Sequence, residues 1–414
     1  MFDQDRWNEI YQTLSKNKLR TALTAFGVTW GILMLIIMLG ASNGLRRGVA
    51  REFEGRIENS VFMWSNTTTM AYKGFKKGRY FRLNNDDTEA LLEQVPEIDL
   101  LSPGLQLGGW RGANNVTYKD KVGAFEINGY YPEAQQIKLM SVPLGRFINE
   151  QDIKEARKIC VLGAITREQL FGDQNPLGEY VTIQGVNFQV VGQFKSAQKG
   201  EDAEEEDQSL YVPFTTSQKA FNQGDDVHWY AMTSKKGIPA SVVEEKAKNL
   251  LKKRHTVHPD DIRAIGSWNM EEEVMKFNRI FDGITALSWF VGILTLLAGI
   301  IGISNIMVII IKERTKEIGI RRAIGAAPSS IMVQIMLESV ALTTIAGIMG
   351  IIGGVWLLEL AGPNIQHDFF NDPSVDFKIM MLAFFVLILS GLIAGIIPSL
   401  RATRIKPIDA LRSE

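Results

Sequence analysis

The sequence predicts an α-helical membrane protein with four transmembrane helices and a large mixed α/β extracytoplasmic domain between helices 1 and 2. Three observations lead there. Uncharged windows of about 18 or more residues run from Thr21 to Leu45, Gly283 to Ile311, Ser339 to Leu358 and Ile379 to Leu400. Basic residues collect at the window ends that would share one side of a bilayer. The polar middle, from about residue 46 to 275, mixes alternating and helical hydrophobic patterns.

Composition alone conceals this. The 414 residues carry a formal net charge of -1, which gives no reason to expect nucleic acid as a partner. Mean hydropathy near zero averages a few apolar runs with a large polar segment. Cys160 is the sole cysteine, so an intrachain disulfide and the zinc spacings are excluded and the redox compartment is not legible. The first window has too long an apolar core for a signal peptide and reads as a helix.

In chain order, residues 1–20 place Trp7, Ile10, Tyr11 and Leu14 on one stripe, followed by Lys16, Lys18 and Arg20. This is the pattern of an amphipathic interfacial helix on the cytoplasmic side. The first span is 21–45. Val49, Phe53 and Ile57 recur every fourth residue beyond it, giving a stalk helix over 46–58. Residues 59–270 form the extracytoplasmic core. Within it, Tyr180 to Ile183 and Asn187 to Val191 read as a hairpin with a short Gly-containing turn, and Lys158 to Leu162 as a buried strand. Asp86 to Gln94 and Ser241 to Arg254 read as helices. The acidic run Gly200 to Gln208 lacks the spacing of a hard-cation loop and reads as a solvated loop. His255 and His258 read as surface histidines.

A second stalk at 271–282, with Val274, Phe277, Ile280 and Phe281 at helical spacing, leads into the second span at 283–311. A polar loop follows at 312–330, then the third span at 331–358, an acidic loop at 359–378, the fourth span at 379–400 and a tail at 401–414. Arg6, Lys16, Lys18 and Arg20 before span one, the 312–330 loop, and Arg401, Arg404, Lys406 and Arg412 after span four put both termini and that loop in the cytoplasm by the positive-inside rule. Residues of about 46–275 are then extracytoplasmic. Arg46, Arg47, Arg51 and Arg56 dissent, but large domains translocate regardless of such charge.

Small residues recur four apart in every span: Gly27 and Gly31, Ala298 and Gly302, Ala346, Gly350 and Gly354, and Gly391 and Gly395. Such pairs let helix backbones approach where lipid supplies no hydrophobic drive, so these residues are expected to pack the spans. Glu338 sits at membrane depth or just beyond it, as a functional residue or an interfacial one. No GxxxxGK[ST] phosphate loop and no nucleophile-base pair occurs, so the chain reads as a non-catalytic subunit without a cofactor or metal of its own.

The 312–330 loop, KERTKEIGIRRAIGAAPSS, is the most informative stretch. A basic side chain at a membrane centre costs roughly 2.5 to 3.5 kcal/mol on insertion scales, and this loop carries Lys312, Arg314, Lys316, Arg321 and Arg322, so it lies in water or at headgroups. Glu313 to Arg322 reads as a helix, with Glu317 four residues before Arg321, Ile320 and Ile324 a turn apart, Gly325 as a stop and Pro328 barring continuation. Membrane lipid and a groove in a partner are both open to such a helix on physical grounds.

The stretch Gly299 to Leu342 resembles the FtsX-like permease family of ABC transporters, in its MacB-like branch. The family pattern E-R-x-x-E-I-G-I-R-x-A-x-G-A is met by Glu313, Arg314, Glu317, Ile318, Gly319, Ile320, Arg321, Ala323, Gly325 and Ala326. Asn17 to Ile32, the C-terminal IPSLRATRIKPIDALRSE and Gly145 to Phe194 also match, the last resembling the MacB-type periplasmic core domain. The resemblance implies a multi-pass protein of the bacterial inner membrane, paired with a second permease subunit as a homo- or heterodimer. It also implies a separate ABC ATPase subunit that binds ATP and Mg. Glu313, Arg314, Glu317, Ile318, Ile320, Arg321, Arg322, Ile324 and Gly325 would form the coupling helix toward that ATPase. The implied action is mechanotransmission for efflux of a periplasmic substrate, with a periplasmic adaptor and an outer-membrane channel as further partners. An FtsX-type signalling subunit acting on cell-wall hydrolases and a lipoprotein-releasing permease are the alternatives within the family.

Overall fold

The computed structural model describes residues 18–53, 57–109, 112–362, 370 and 372–405. The interfacial-helix stripe of Trp7 to Leu14 and most of the 401–414 tail lie outside them. The chain forms two compact units, Ala50–Phe277 and Met1–Val49 with Asn278–Glu414.

The first unit is α/β. Its strands are β1 (Ser60–Ser65), β2 (Leu83–Asn84), β3 (Ile98–Gln106), β4 (Ala113–Tyr118), β5 (Lys121–Tyr130), β6 (Ser141–Gly145), β7 (Ile159–Gly163), β8 (Tyr180–Ile183), β9 (Val186–Lys195), β10 (Ser209–Pro213), β11 (Asp226–Val227), β12 (Trp229–Ser234) and β13 (Ile265–Asn269). β1, the helix Asn85–Gln94 and β3, then β12, the helix Ala240–Arg254 and β13, follow the β-α-β-β-α-β order of the ferredoxin-like fold. The sheet order is β13-β1-β12-β3 with every neighbouring pair antiparallel. Val61, Met63, Leu105, Tyr230 and Ile265 face the two helices and form one core with Leu91, Val243 and Leu251.

Between β3 and β12 the chain makes a second body. β4, β5, β10, β7, β9 and β8 pair in a ring that closes on itself. Closure removes the exposed edges an open sheet would present, and Val116, Ile127, Leu162, Val181, Phe188 and Leu210 fill the interior. The β8–β9 hairpin turns on Gln184 and Gly185, both at positive φ (47° and 82°), as a two-residue turn of the primed type requires.

Two local expectations are corrected here. The acidic run is a helix, Glu201–Asp207, not a solvated loop. Glu201, Asp202 and Glu204 in its first turn favour the positive end of the helix. Its last turn is anchored inward, with Asp207 accepting from the Ser196 amide at 2.8 Å and Glu206 receiving the Lys138 ammonium at 2.7 Å. His255 is no free surface residue either: its Nε2 lies 2.6 Å from the buried Asp87 carboxylate and its ring packs on Phe81.

In the second unit, four helices are long and apolar enough to cross a membrane, among the described residues. They are Lys18–Glu52, Met270–Glu313, Pro328–Ala361 and Phe377–Thr403. The first helix ends at Glu52, short of residue 58, and residues 57–59 lead into β1 without helix. In the α/β unit Phe53 meets Phe277 at a centroid distance of 5.5 Å, so the two segments proposed as stalks touch through their apolar stripes. Two of the four dissenting arginines have acidic partners: Arg46 pairs with Asp282 at 2.8 Å and Arg47 with Asp372 at 2.6 Å.

Span two packs on span one, one on three and three on four. A Cβ on Gly350 would meet the Thr29 carbonyl oxygen at 2.6 Å, and one on Gly354 the Ile36 side chain at 2.7 Å. Thr29 Oγ1 donates to the Ala346 carbonyl at 2.9 Å across the same contact. Gly391 and Gly395 lie against Val340 and Met336 of span three, and Gly31 against Thr295. Gly27 and Ala298, however, are exposed, so these two do not build the contact within the chain. Span two instead receives Leu35 at Gly292 and Val28 at Gly299, two small residues seven apart that a four-residue spacing misses.

Gly350→Val is expected to lower the melting temperature in detergent, because a backbone oxygen cannot yield as a side chain can and overpacking costs about 1 to 3 kcal/mol. Gly27→Ala has open space around it and is expected to leave stability unchanged or raise it by up to about 1 kcal/mol through helix propensity.

Candidate functional site

The segment joining spans two and three folds as a short helix clamped at both ends. The long helix of span two runs through Glu313, so Glu313 belongs to it rather than to the short helix. Arg314 breaks the geometry at φ −98°, ψ 13°, and Thr315–Ala323 forms the next helix. Its end is a Schellman motif: the Gly325 amide donates to the Arg322 carbonyl at 3.2 Å and the Ala326 amide to the Arg321 carbonyl at 3.0 Å. Gly325 sits at φ +104°, a conformation that glycine adopts without the Cβ penalty. Pro328 then occupies the first turn of span three, where its missing N–H costs nothing.

The charged side chains of this helix are mostly spent on the fold. Arg314 holds Glu317 through two bonds of 3.0 Å and reaches the buried Glu338 of span three at 3.2 Å. Glu317 also receives Arg321 at 2.8 Å, which further contacts Gln334. Arg322 donates to the Thr403 and Ile405 carbonyls at 2.8 and 2.7 Å, groups at the C-terminus of span four that favour a cation. Glu338 therefore serves as the anchor of this network. Its position was legible in sequence, its partner was not, because Arg314 lies 24 residues away.

Among the predicted coupling residues, Ile318 is a correction. It is buried and shares an apolar cluster with Ile310, Ile311, Ile331 and Ile335, so it fastens the helix to its own spans and has no surface to offer a partner. Ile320 and Ile324 do the opposite, at 42% and 82% exposed. Lys316 and Ala323 are exposed beside them, and Gly325, Ala327 and Pro328 continue the uncovered surface. A short helix with fixed ends thus presents two isoleucines one turn apart.

A family model described as the MacB-like periplasmic core domain matches residues 21–250, more than half of the chain, and one described as the FtsX-like permease C-terminal matches residues 289–407. The chain belongs to the FtsX-like permeases with a MacB-like core domain. The second match contains the whole of the helix just described. Relatives of this MacB-like permease include the Macrolide export ATP-binding/permease protein MacB of Bdellovibrio bacteriovorus, 27% identical over 406 residues that cover 98% of this chain and 61% of the relative. The Pyoverdine export ATP-binding/permease protein PvdT of Pseudomonas savastanoi pv. phaseolicola is 28% identical, covering 96% and 58%. The chain thus spans about three-fifths of the length of these relatives. Among solved structures, the periplasmic region of MacB from Actinobacillus actinomycetemcomitans is similar over 56% of this chain and 95% of its own, with 18% identity and a TM-score of 0.44.

Proposed function

We propose that this MacB-like permease is the transmembrane subunit of an ABC exporter of the bacterial inner membrane. On this reading ATP and Mg are handled outside these 414 residues, by a separate ATPase subunit. The Thr315–Ala323 helix receives the ATPase, and the movement passes through the spans and the segments around Phe53 and Phe277 to the α/β unit. That unit faces the periplasm, and both termini and the coupling helix face the cytoplasm. A second permease subunit completes the membrane part, and a periplasmic adaptor with an outer-membrane channel completes the export path. The observation that carries the proposal is the rigidly held helix with two exposed isoleucines, Ile320 and Ile324. The export titles of the relatives favour export over cell-wall signalling.

Affinity purification of the full chain from its native membrane is expected to bring down an ABC ATPase in stoichiometric amount, and purification without any such protein contradicts the proposal. Orientation has its own test. Cys160 is buried and burial pushes its thiol up, so the native background is quiet. Glu204→Cys, on the exposed side of its helix, is expected to react with a membrane-impermeant maleimide once the outer barrier is opened. Labelling only after inner-membrane lysis would reverse the orientation.

A further inference from the structure

Polar side chains within the spans mostly find partners. Ser288, Thr295, Thr343 and Ser390 each donate to a carbonyl three or four residues back in their own helix, Thr29 donates across to span three, and Asn43 donates to the Ser374 carbonyl at 3.2 Å. Asn305 of span two differs: it is exposed, and its carboxamide makes no hydrogen bond among the described residues. Ile306 to Ile311 separate it from the first charge, Lys312, which puts about 10 Å of helix between them. The carboxamide therefore lies inside the apolar run, where lipid tails supply neither donor nor acceptor and an unsatisfied amide is costly. The face that carries it is turned from span one. Span one meets span two at Gly292, Thr295 and Gly299; at about 100° per residue, Leu294, Ala298, Ile301 and Asn305 fall on the opposite side, and all four are exposed. Ala298 stands two turns from Asn305 on that face, and a small residue there lets another backbone approach closely.

We propose that this face of span two packs against a second copy of this chain, and that Asn305 hydrogen-bonds to Asn305 of the partner subunit. A carboxamide is donor and acceptor at once, so two of them related by a two-fold axis satisfy each other, as an isologous interface requires. Copies inserted in the same orientation hold their amides at the same depth. A lipid tail or a purely apolar helix would leave the amide bare. This rests on the reading that a second permease subunit completes the membrane part, and names that subunit and the surface it takes.

The test is oxidative cross-linking of the full chain in its native membrane. Ile301→Cys on the proposed face is compared with Ile352→Cys on span three, a position as open, 63% exposed against 61%, and the buried Cys160 stays silent. A disulfide-linked dimer from Ile301→Cys and none from Ile352→Cys is expected. In a second measurement, dilution of the purified full chain in detergent gives the dimer dissociation constant. Asn305→Leu should raise it about three- to thirtyfold, the scale of an interhelical amide hydrogen bond in a membrane, whereas Asn305→Gln, which keeps the carboxamide, should recover most of that loss. A dimer linked through Ile352→Cys instead, or one that Asn305→Leu leaves as tight as wild type, would overturn this face while a second subunit remains. A monomer in both measurements would overturn the second copy; copurification of an unlike permease subunit then decides the second-subunit reading separately.

Discussion

Arg314→Leu is expected to destabilise the membrane unit strongly. The side chain of Glu338 is 4% exposed and that of Arg314 is 22% exposed, and removing one partner of a buried ion pair costs roughly 3 to 5 kcal/mol. For a unit of this size each kcal/mol moves the melting temperature by about 2 to 4 °C, so a fall of roughly 6 to 20 °C is expected in detergent. The same substitution also removes one of the arginines that hold Glu317, leaving Arg321, which loosens the short helix at its first turn. Glu338→Gln is expected to cost less, because Arg314 keeps Glu317 and the amide oxygen still accepts. The double change Arg314→Leu with Glu338→Leu should recover most of the loss, since apolar residues of similar volume replace buried pairs at little cost. A wild-type melting temperature for Arg314→Leu would show that the pair anchors nothing.

Ile324→Asp is expected to give the largest functional effect. Ile324 is 82% exposed and follows the last helical residue, so a charge there leaves the fold intact while placing a carboxylate in the surface proposed to receive the ATPase. Loss of a central apolar anchor of an interface costs 2 kcal/mol or more, or roughly 30-fold in association. The variant should insert and melt like wild type, yet fail to retain the ATPase or stimulate its turnover. Ile318→Asp forms the contrast: it buries a charge among Ile310, Ile331 and Ile335 and should impair folding itself. Retained ATPase in Ile324→Asp would reduce the helix to a surface anchor on lipid.

How much of this was legible in the sequence follows from the range of the interactions involved. The four spans were readable because exclusion of charge is a property of each window alone. Gly325 and Pro328 were readable because caps are local chemistry. The direction of each isoleucine was not: Ile318 and Ile320 share composition and spacing, and only the position of spans two and three decides that one is buried and the other exposed. Likewise Gly350 and Gly27 are identical in sequence terms, and the neighbour at Thr29 separates them. The helical order of residues 201–207 is not legible locally because the anchors that hold them, Lys138 and Ser196, come from other elements. The strand ring depends on the parallel pairing of β5 with β10, some eighty residues apart, which no local pattern announces.

On the proposed function, ATP moves the α/β unit through the coupling helix. Spin labels at Glu204→Cys in that unit and Lys378→Cys at the start of span four, both exposed positions, report the distance between the units in the reconstituted complex. A shift in the distance distribution is expected when ATP is trapped on the ATPase, and none when Ile324→Asp is present in the same chain. An unchanged distribution in the wild type, or an equal shift in the variant, would contradict it.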